Sequence, residues 1–187
     1  MAPHPVMLQP PGTIVLDLSV PEPWFPASPW TIGRYDELRP AVYQQALFSG
    51  DRTLHVGLDL GGPVGVAVHA FSDGVVVHAG YNPADGDYGN ALVTQHAHGG
   101  RPLYALWGHL SAASVVHSPP GRAFCAGEVL GWLGDMHENG GWPPHLHLQL
   151  CWDRPETHDL PGVVPAAERA TALRRYPDPR MVLGPLY

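Results

Sequence analysis

The chain has 187 residues, 44% of them hydrophobic and 14% charged, a globular composition that excludes a disordered segment and a membrane-embedded one. Seventeen acidic against ten basic residues give a formal net charge of −7, and no Lys/Arg cluster is available to phosphates, which excludes a nucleic-acid binder. Glycine and proline, 22 of each, favour a turn-rich β architecture over a helical bundle, and 12 histidines pose the question of metal binding or acid–base chemistry.

Residues 1–33 are proline-rich, with Pro10-Pro11 and Pro21-Glu22-Pro23, around one short strand candidate, Thr13 to Val20. Trp24, Phe25 and Trp30 read as pins that hold this arm to a core. From Tyr35 to Phe48 the spacing of Leu38, Val42 and Leu47 predicts a short helix, with Pro40 near its start and Gly50 as its stop. Residues 1–50 are therefore expected to be an arm and helix packed on a β domain of residues 51–187. Met1 to Gln9 has neither a basic nor a continuous apolar signal region, and no stretch approaches the roughly 18 apolar residues of a membrane span. A cytoplasmic address is expected, with no membrane partner; the cell wall is the alternative if the chain is exported by another route.

From Leu54 to Trp152 short apolar runs alternate with Gly, Asp and Asn. His55–Leu60, Val64–Ala70, Gly74–Ala79, Ala91–His96, Leu103–His109, Glu128–Leu133 and His145–Cys151 predict seven strands, hence an all-β sandwich or barrel-like sheet pair. Asp85-Gly86-Asp87 and Gly99-Gly100 read as turn tips. Beyond Asp153, Pro165 to Tyr176 predicts a short helix that ends before Pro177-Asp178-Pro179. Cys125 and Cys151 are too few for a disulfide framework and are expected to be buried free thiols.

Three segments carry chemistry. In His145-Leu146-His147-Leu148-Gln149-Leu150 the alternation puts both imidazoles on one strand face, either as a ligand pair, as a ligand plus a base, or simply as a wet surface. In His55-Val56-Gly57-Leu58-Asp59, read as one strand, both side chains share a face, with Gly57 leaving room between them. In Trp107-Gly108-His109 an imidazole closes a strand. Catalytic zinc takes three protein ligands from His, Asp and Glu and keeps a fourth position open, which His55, Asp59 and one histidine of the opening pair would satisfy. Two imidazoles then remain for proton transfer and oxyanion stabilisation. His96-x-His98 has the same spacing but precedes a turn tip. Trp107 and Trp142 read as core residues or as a groove wall, and Asn139 as a turn residue. Ser111 and Cys125 lack the partners of a nucleophile.

His55-x-x-x-Asp59, Trp107-Gly108-His109-Leu110-Ser111 and His145-x-His147 stand in the order and approximate spacing of the lysostaphin-type zinc endopeptidases, which cleave peptide bonds of peptidoglycan. Gly65–Ala70 with Asp73-Gly74, Tyr88-Gly89-Asn90 and Ala126–Gly131 resemble that family too, so the resemblance covers about residues 54–150. It implies the two-sheet β-sandwich, or barrel-sandwich hybrid, of that family with short flanking helices. It further implies one Zn²⁺ held by His55, Asp59 and His147, with His109 and His145 as the catalytic pair. The implied substrate is a peptide, a peptidoglycan stem or cross-bridge. Glu138 to Pro144 departs from the family's usual approach to the last strand and borders the groove. The wording of residues 138–147 and 176–184 resembles a subset of the family fused to a phosphotransferase-like kinase and a class III aminotransferase, implying a functional link to both enzymes. The alternatives are a non-catalytic metal-binding or regulatory module of the same fold, or a hydrolase of a small cytosolic amide.

Overall fold

The computed structural model describes residues 4–48 and 51–187. Among the described residues thirteen strands follow one another: β1 (Ile14–Val15), β2 (Thr31–Gly33), β3 (Glu37–Leu38), β4 (Arg52–His55), β5 (Leu58–Gly61), β6 (Ala67–His69), β7 (Gly74–Asn82), β8 (Gly89–His98), β9 (Arg101–Leu110), β10 (Ala123–Phe124), β11 (Val129–Trp132), β12 (His145–Cys151) and β13 (Val163–Pro165). Helices are short: α1 (Ala112–His117), α2 (Arg169–Arg175) and α3 (Arg180–Leu183). An eight-stranded sheet in the order β1-β2-β5-β12-β9-β8-β7-β10 forms the backbone of the molecule. A two-stranded sheet, β11-β6, and a three-stranded sheet, β13-β4-β3, complete an all-β fold in which, among the described residues, no sheet closes into a barrel.

The alternation in β12 sorts its side chains between two cores. Leu146, Leu148 and Leu150 join Leu58 and Leu60 of β5 and Trp107 of β9 in one apolar cluster, with Val68 of the small sheet. Cys151, on the other face, joins Leu54 and Val56, Tyr88, Leu106, Val164 and Ala172 in the second. The leucines of β12 are fully buried, so truncating one to alanine costs about 2–5 kcal/mol. Trp107 is also fully buried, its indole N–H donating to Thr94 Oγ1 at 2.8 Å, and belongs to the core.

Several elements differ from the sequence reading. His55–Leu60 is not one strand: β4 pairs with β3 and β13, β5 with β2 and β12, and the chain passes between sheets at Val56-Gly57. Residues 35–48 do not form the expected helix; Glu37–Leu38 adds to β4 and only Ala46–Phe48 makes a 3-10 turn. The helical spacing rested on Leu38, which is 46% exposed, whereas the buried groups are the charged Glu37 and Arg39. Gly50 lies outside the described residues. The strand expected over Thr13–Val20 shortens to β1, whose Ile14 and Val15 pair with Thr31 and Ile32 before a last bond from Leu16 N–H to Ile32 O. The C-terminal helix forms as a 3-10 turn followed by α2, whereas α1 had no counterpart in the sequence reading. The Gly99-Gly100 tip joins β8 to β9 with both glycines at positive φ, the requirement of a two-residue hairpin turn.

Candidate metal centre

The structure brings His55, Asp59, His109, His145 and His147 to one cavity. β5 and β12 are antiparallel neighbours with His147 opposite Asp59, so strand register alone sets two of them side by side. His55 arrives from the end of β4, just before the chain changes sheets. Gly57 is needed at that change: a Cβ there would lie 2.3 Å from His147 Cε1, so any side chain would displace the imidazole. The sequence reading placed Gly57 as a spacer between His55 and Asp59; the ring it makes room for belongs to the third partner.

His109 reaches the site through a defect in the sheet. In a regular strand Trp107 and His109 would share the core face. The pairing of β8 with β9 slips between Asn90 and Leu92, which oppose Leu110 and Trp107, so β9 carries one extra residue. This bulge returns Leu110 to the core face and sends His109 to the other. His109 sits at φ 62°, a left-handed conformation that costs a non-glycine residue about 1–3 kcal/mol. Two backbone bonds hold it there, His109 N–H to Tyr88 O at 2.9 Å and Gly134 N–H to His109 O at 3.0 Å.

Each imidazole is oriented by one nitrogen. His55 Nδ1 lies 2.9 Å from Arg34 O, an acceptor, and therefore carries the proton. His147 Nε2 lies 3.1 Å from Gln149 Oε1; the Gln149 amide N–H donates to Pro161 O, which turns its oxygen toward the histidine. His55 Nε2 and His147 Nδ1 are then both unprotonated in the neutral rings. They lie 3.1 Å apart, with Asp59 Oδ1 at 3.3 and 3.1 Å from them. Three acceptors thus converge with no proton between them, an arrangement that a cation relieves. Tetrahedral zinc with bonds of 2.0–2.1 Å separates its ligand atoms by about 3.3 Å, and the triangle has that size. The donor set, two imidazole nitrogens and a carboxylate oxygen, is one that zinc accepts.

The second oxygen of Asp59 is held by Arg39, whose guanidinium donates to Oδ2 at 2.7 Å. Arg39 is 3% exposed and also donates to Glu37 at 2.9 Å, to Tyr43 Oη at 3.0 Å, and to Arg34 O at 3.1 Å, the same carbonyl that fixes His55. Burial opposes ionisation of Asp59, but the charge of the buried Arg39 and its hydrogen bond to Oδ2 outweigh it and hold the carboxyl well below its ordinary range. Burial, then the Arg39 charge, lowers His55 to about 4. Neither Arg39 nor Gln149 was singled out as a site residue in the sequence. Gln149 continues the β12 alternation onto the face of His145 and His147, a readable signal; nothing local marks an arginine for burial.

His145 and His109 flank the triangle. Their Nδ1–H groups donate to Pro143 O and Asn139 O, each at 2.7 Å, leaving Nε2 as the lone-pair atom; His145 Nε2 is 3.9 Å from Asp59 Oδ1. The two ring centroids are 4.2 Å apart. Burial, then the neighbouring His145 and His147, pushes His109 well below its usual range, and burial lowers His145 as well. Both are neutral bases at pH 7. Asn139 organises the turn before β12, its amide oxygen accepting from Gly141 and Trp142 N–H. Trp142 lines the cavity, its indole N–H on Gly86 O at 3.0 Å.

The remaining candidates lie elsewhere. His96 is buried at the far end of β8, 2.7 Å from Thr94 Oγ1 and stacked on Phe71. Ser111 Oγ faces Ser114 Oγ at 3.0 Å and no imidazole. Both cysteines are free; Cys151 is buried as expected, but Cys125 is exposed, since β10 ends at Phe124 on the sheet's edge.

The chain is similar to several known proteins. The curated proteins named DD-carboxypeptidase/endopeptidase Mpg, from Neisseria meningitidis serogroup B and Neisseria gonorrhoeae, are 40% identical over 119 residues, covering 64% of this chain and 25% of theirs. The matched part is thus about a quarter of the length of those relatives. The catalytic domain of the antimicrobial peptidase lysostaphin from Staphylococcus simulans superposes with a TM-score of 0.52 at 19% identity, over 76% of this chain and 92% of that domain. A catalytic-domain mutant of the prophage-encoded M23 protein EnpA from Enterococcus faecalis gives 0.51 at 21% identity, with the same coverage of 76% and 92%. A zinc-containing peptidase from Vibrio cholerae gives 0.50 at 19% identity, over 80% of this chain and 36% of that one. These likenesses establish the shared fold. The pattern of Peptidase family M23 matches residues 53–158, a span that contains all five residues of the centre and Gly57. The chain belongs to Peptidase family M23, the family of the lysostaphin-type peptidases.

Proposed function

We propose that the chain is a zinc-dependent endopeptidase that hydrolyses a peptide bond, with peptidoglycan-type peptides as its substrate class. The convergence of His55 Nε2, Asp59 Oδ1 and His147 Nδ1 within 3.3 Å, with no proton to separate them, carries this reading. Membership of the family and the name of the neisserial relatives support the reaction class. His55, Asp59 and His147 would hold one zinc ion. When bound, zinc polarises a carbonyl and makes water acidic enough to attack at neutral pH.

The chain's own groups then manage the protons. His145 and His109 both present a free Nε2, so either can accept a proton from the attacking water, but not both at once with rings 4.2 Å apart. One proton shared by the pair leaves one ring as a base and makes the other an N–H donor toward the developing oxyanion. The same proton is available to the leaving amine. Tyr88 Oη is engaged with Leu160 O at 3.0 Å and has no proton free for this role.

Metal analysis of the purified chain, followed by hydrolysis of stem and cross-bridge peptides with and without chelator, tests the reading. One zinc per chain is expected, with activity lost on chelation and restored by zinc. His145→Ala and His109→Ala should each retain zinc and lose about 100-fold or more in kcat/KM. A chain that binds no divalent metal, or cleavage that survives both chelation and His109→Ala, would sink it.

A further inference from the structure

Two residues that bear on Asp59 stand outside residues 53–158, the span matched by the family: Gly33 and Arg39. Gly33 ends β2 and faces Asp59 in the register of β2 with β5. A Cβ at Gly33 would lie 2.8 Å from Arg39 Nη2 and 2.8 Å from Asp59 Oδ2, well inside van der Waals contact. Its φ lies outside the left-handed region, so space and not backbone freedom calls for glycine here. The missing side chain is the gap in which guanidinium and carboxylate meet.

Arg39 fills that gap as a fixed fork. Its Nε donates to Glu37, Nη1 to Tyr43 Oη and Asp59 Oδ2, and Nη2 to Arg34 O, all at 3% exposure. The consequence falls on the two oxygens of Asp59. Oδ1 faces His55 Nε2 and His147 Nδ1 at 3.3 and 3.1 Å. Oδ2 faces a permanent cation at 2.7 Å. A divalent ion sharing Oδ2 would meet that charge in a buried site, where like charges repel strongly; on Oδ1 it would gain two imidazole nitrogens instead. The distinction matters for chemistry. A carboxylate giving both oxygens would, with two imidazoles, fill all four positions of a tetrahedral metal and leave none open.

We infer that Gly33 and Arg39 withhold Asp59 Oδ2 from the metal, so that the arm keeps one coordination position free. Both are positioning residues. The inference rests on the zinc-peptidase reading above, and its test separates the two. Imidazole is a neutral ligand with one donor atom, and cobalt(II) in place of zinc makes its binding visible in the absorption spectrum. Cobalt is held at saturation, so that the titration reads the open position and not the affinity lost with Arg39. The cobalt-loaded full chain should bind imidazole, and Arg39→Met should bind it at least about 10-fold more weakly, because Oδ2 must be displaced first. Gly33→Ala, which changes no charge and leaves Arg39 in place, should weaken it by about 3-fold or more, and decides alone if Arg39→Met does not fold. The double variant Arg39→Met/Asp59→Asn puts an amide nitrogen, a poor metal ligand, in place of Oδ2. It should return to within about 3-fold of wild type, a recovery that a merely structural role for Arg39 would not produce. Wild-type imidazole affinity in both single variants, or no recovery in the double variant, overturns the inference and leaves the metal centre standing. A wild-type chain that holds cobalt but binds no imidazole overturns it too. A chain that takes up neither zinc nor cobalt overturns the zinc-peptidase reading and the inference with it.

Discussion

The two sides of the centre are held by different physics. On the sheet side, His145, His147 and Asp59 are placed by strand register: β5 and β12 share hydrogen bonds, and leucines buried behind them lock the pairing. A one-residue slip would expose those leucines, so the positions are protected by the whole apolar core. On the arm side, control passes through a few polar contacts from Arg34 to Tyr43, centred on one buried guanidinium. The sheet side determines which atoms meet. The arm side determines how one of them, Asp59, is oriented and charged.

The sharpest way to break the sheet side is to remove a ligand. Asp59→Ala and His147→Ala should reduce zinc affinity by more than the 10–100-fold characteristic of residues that only support a ligand. Competition with a chromophoric chelator measures the loss, and wild-type affinity in either variant would refute the assignment. Gly57→Ala should come next. It alters none of the three residues of the triangle, yet its Cβ would lie 2.3 Å from His147 Cε1, so the ring must shift out of the triangle. Zinc affinity should fall by at least about 10-fold; unchanged affinity would show that the β4–β5 crossing is more pliable than the packing indicates.

The arm side breaks differently. Arg39→Met removes the donor to Asp59 Oδ2 and leaves Asp59 and Glu37 as buried carboxylates without their shared cation. Loss of one partner from a buried ionic network costs about 3–5 kcal/mol, and zinc affinity should fall about 10–100-fold. Because zinc then binds the folded variant less tightly than the wild type, the destabilisation measured by urea unfolding should be larger with zinc present than without, by about 1.4–2.7 kcal/mol for that loss of affinity. Arg39→Lys should recover only part of the affinity, since an ammonium cannot reach Asp59, Glu37 and Arg34 O in one fixed fork. Equal loss of stability with and without zinc would show that Arg39 supports the arm and not the centre.

This contrast also explains what could be read from the sequence. His145-x-His147 was legible because a strand's two-residue period is local, and leucines between the histidines reveal which face is buried. His55 and Asp59 were legible as a pair, although their separation across two sheets was not: the crossing at Val56-Gly57 depends on pairing with β13 and β2, more than a hundred residues away in one direction and about 25 in the other. His109 had the right neighbours in the chain, but the bulge that turns it to the site is a property of its pairing with β8 and leaves no local mark. Arg39 was invisible for a related reason. Its burial is sustained by Asp59, 20 residues away, and the spacing of the surrounding apolar residues suggested a helix instead.

The smallest effect isolates the sheet from the centre. His96 lies on the same large sheet, buried against Phe71 and Phe124 and away from the centre. Burial lowers its pKa to about 4, against the 6.5 of an unfolded histidine. Above pH 6.5 it is neutral in both states and contributes no pH dependence. Between pH 6.5 and 4 the unfolded chain binds a proton that the folded chain refuses, so stability falls as pH falls, by about 3 kcal/mol across the window. His55, His109 and His145 add their own slope in zinc-free protein, so the measurement is a difference between wild type and His96→Phe, each unfolded in urea at pH 7 and pH 5 with chelator. The variant should lose less stability on acidification, by about 2 kcal/mol at most between those two points. Parallel losses in the two proteins would mean that His96 is protonated within the fold and that the acid sensitivity of the sheet resides entirely at the centre.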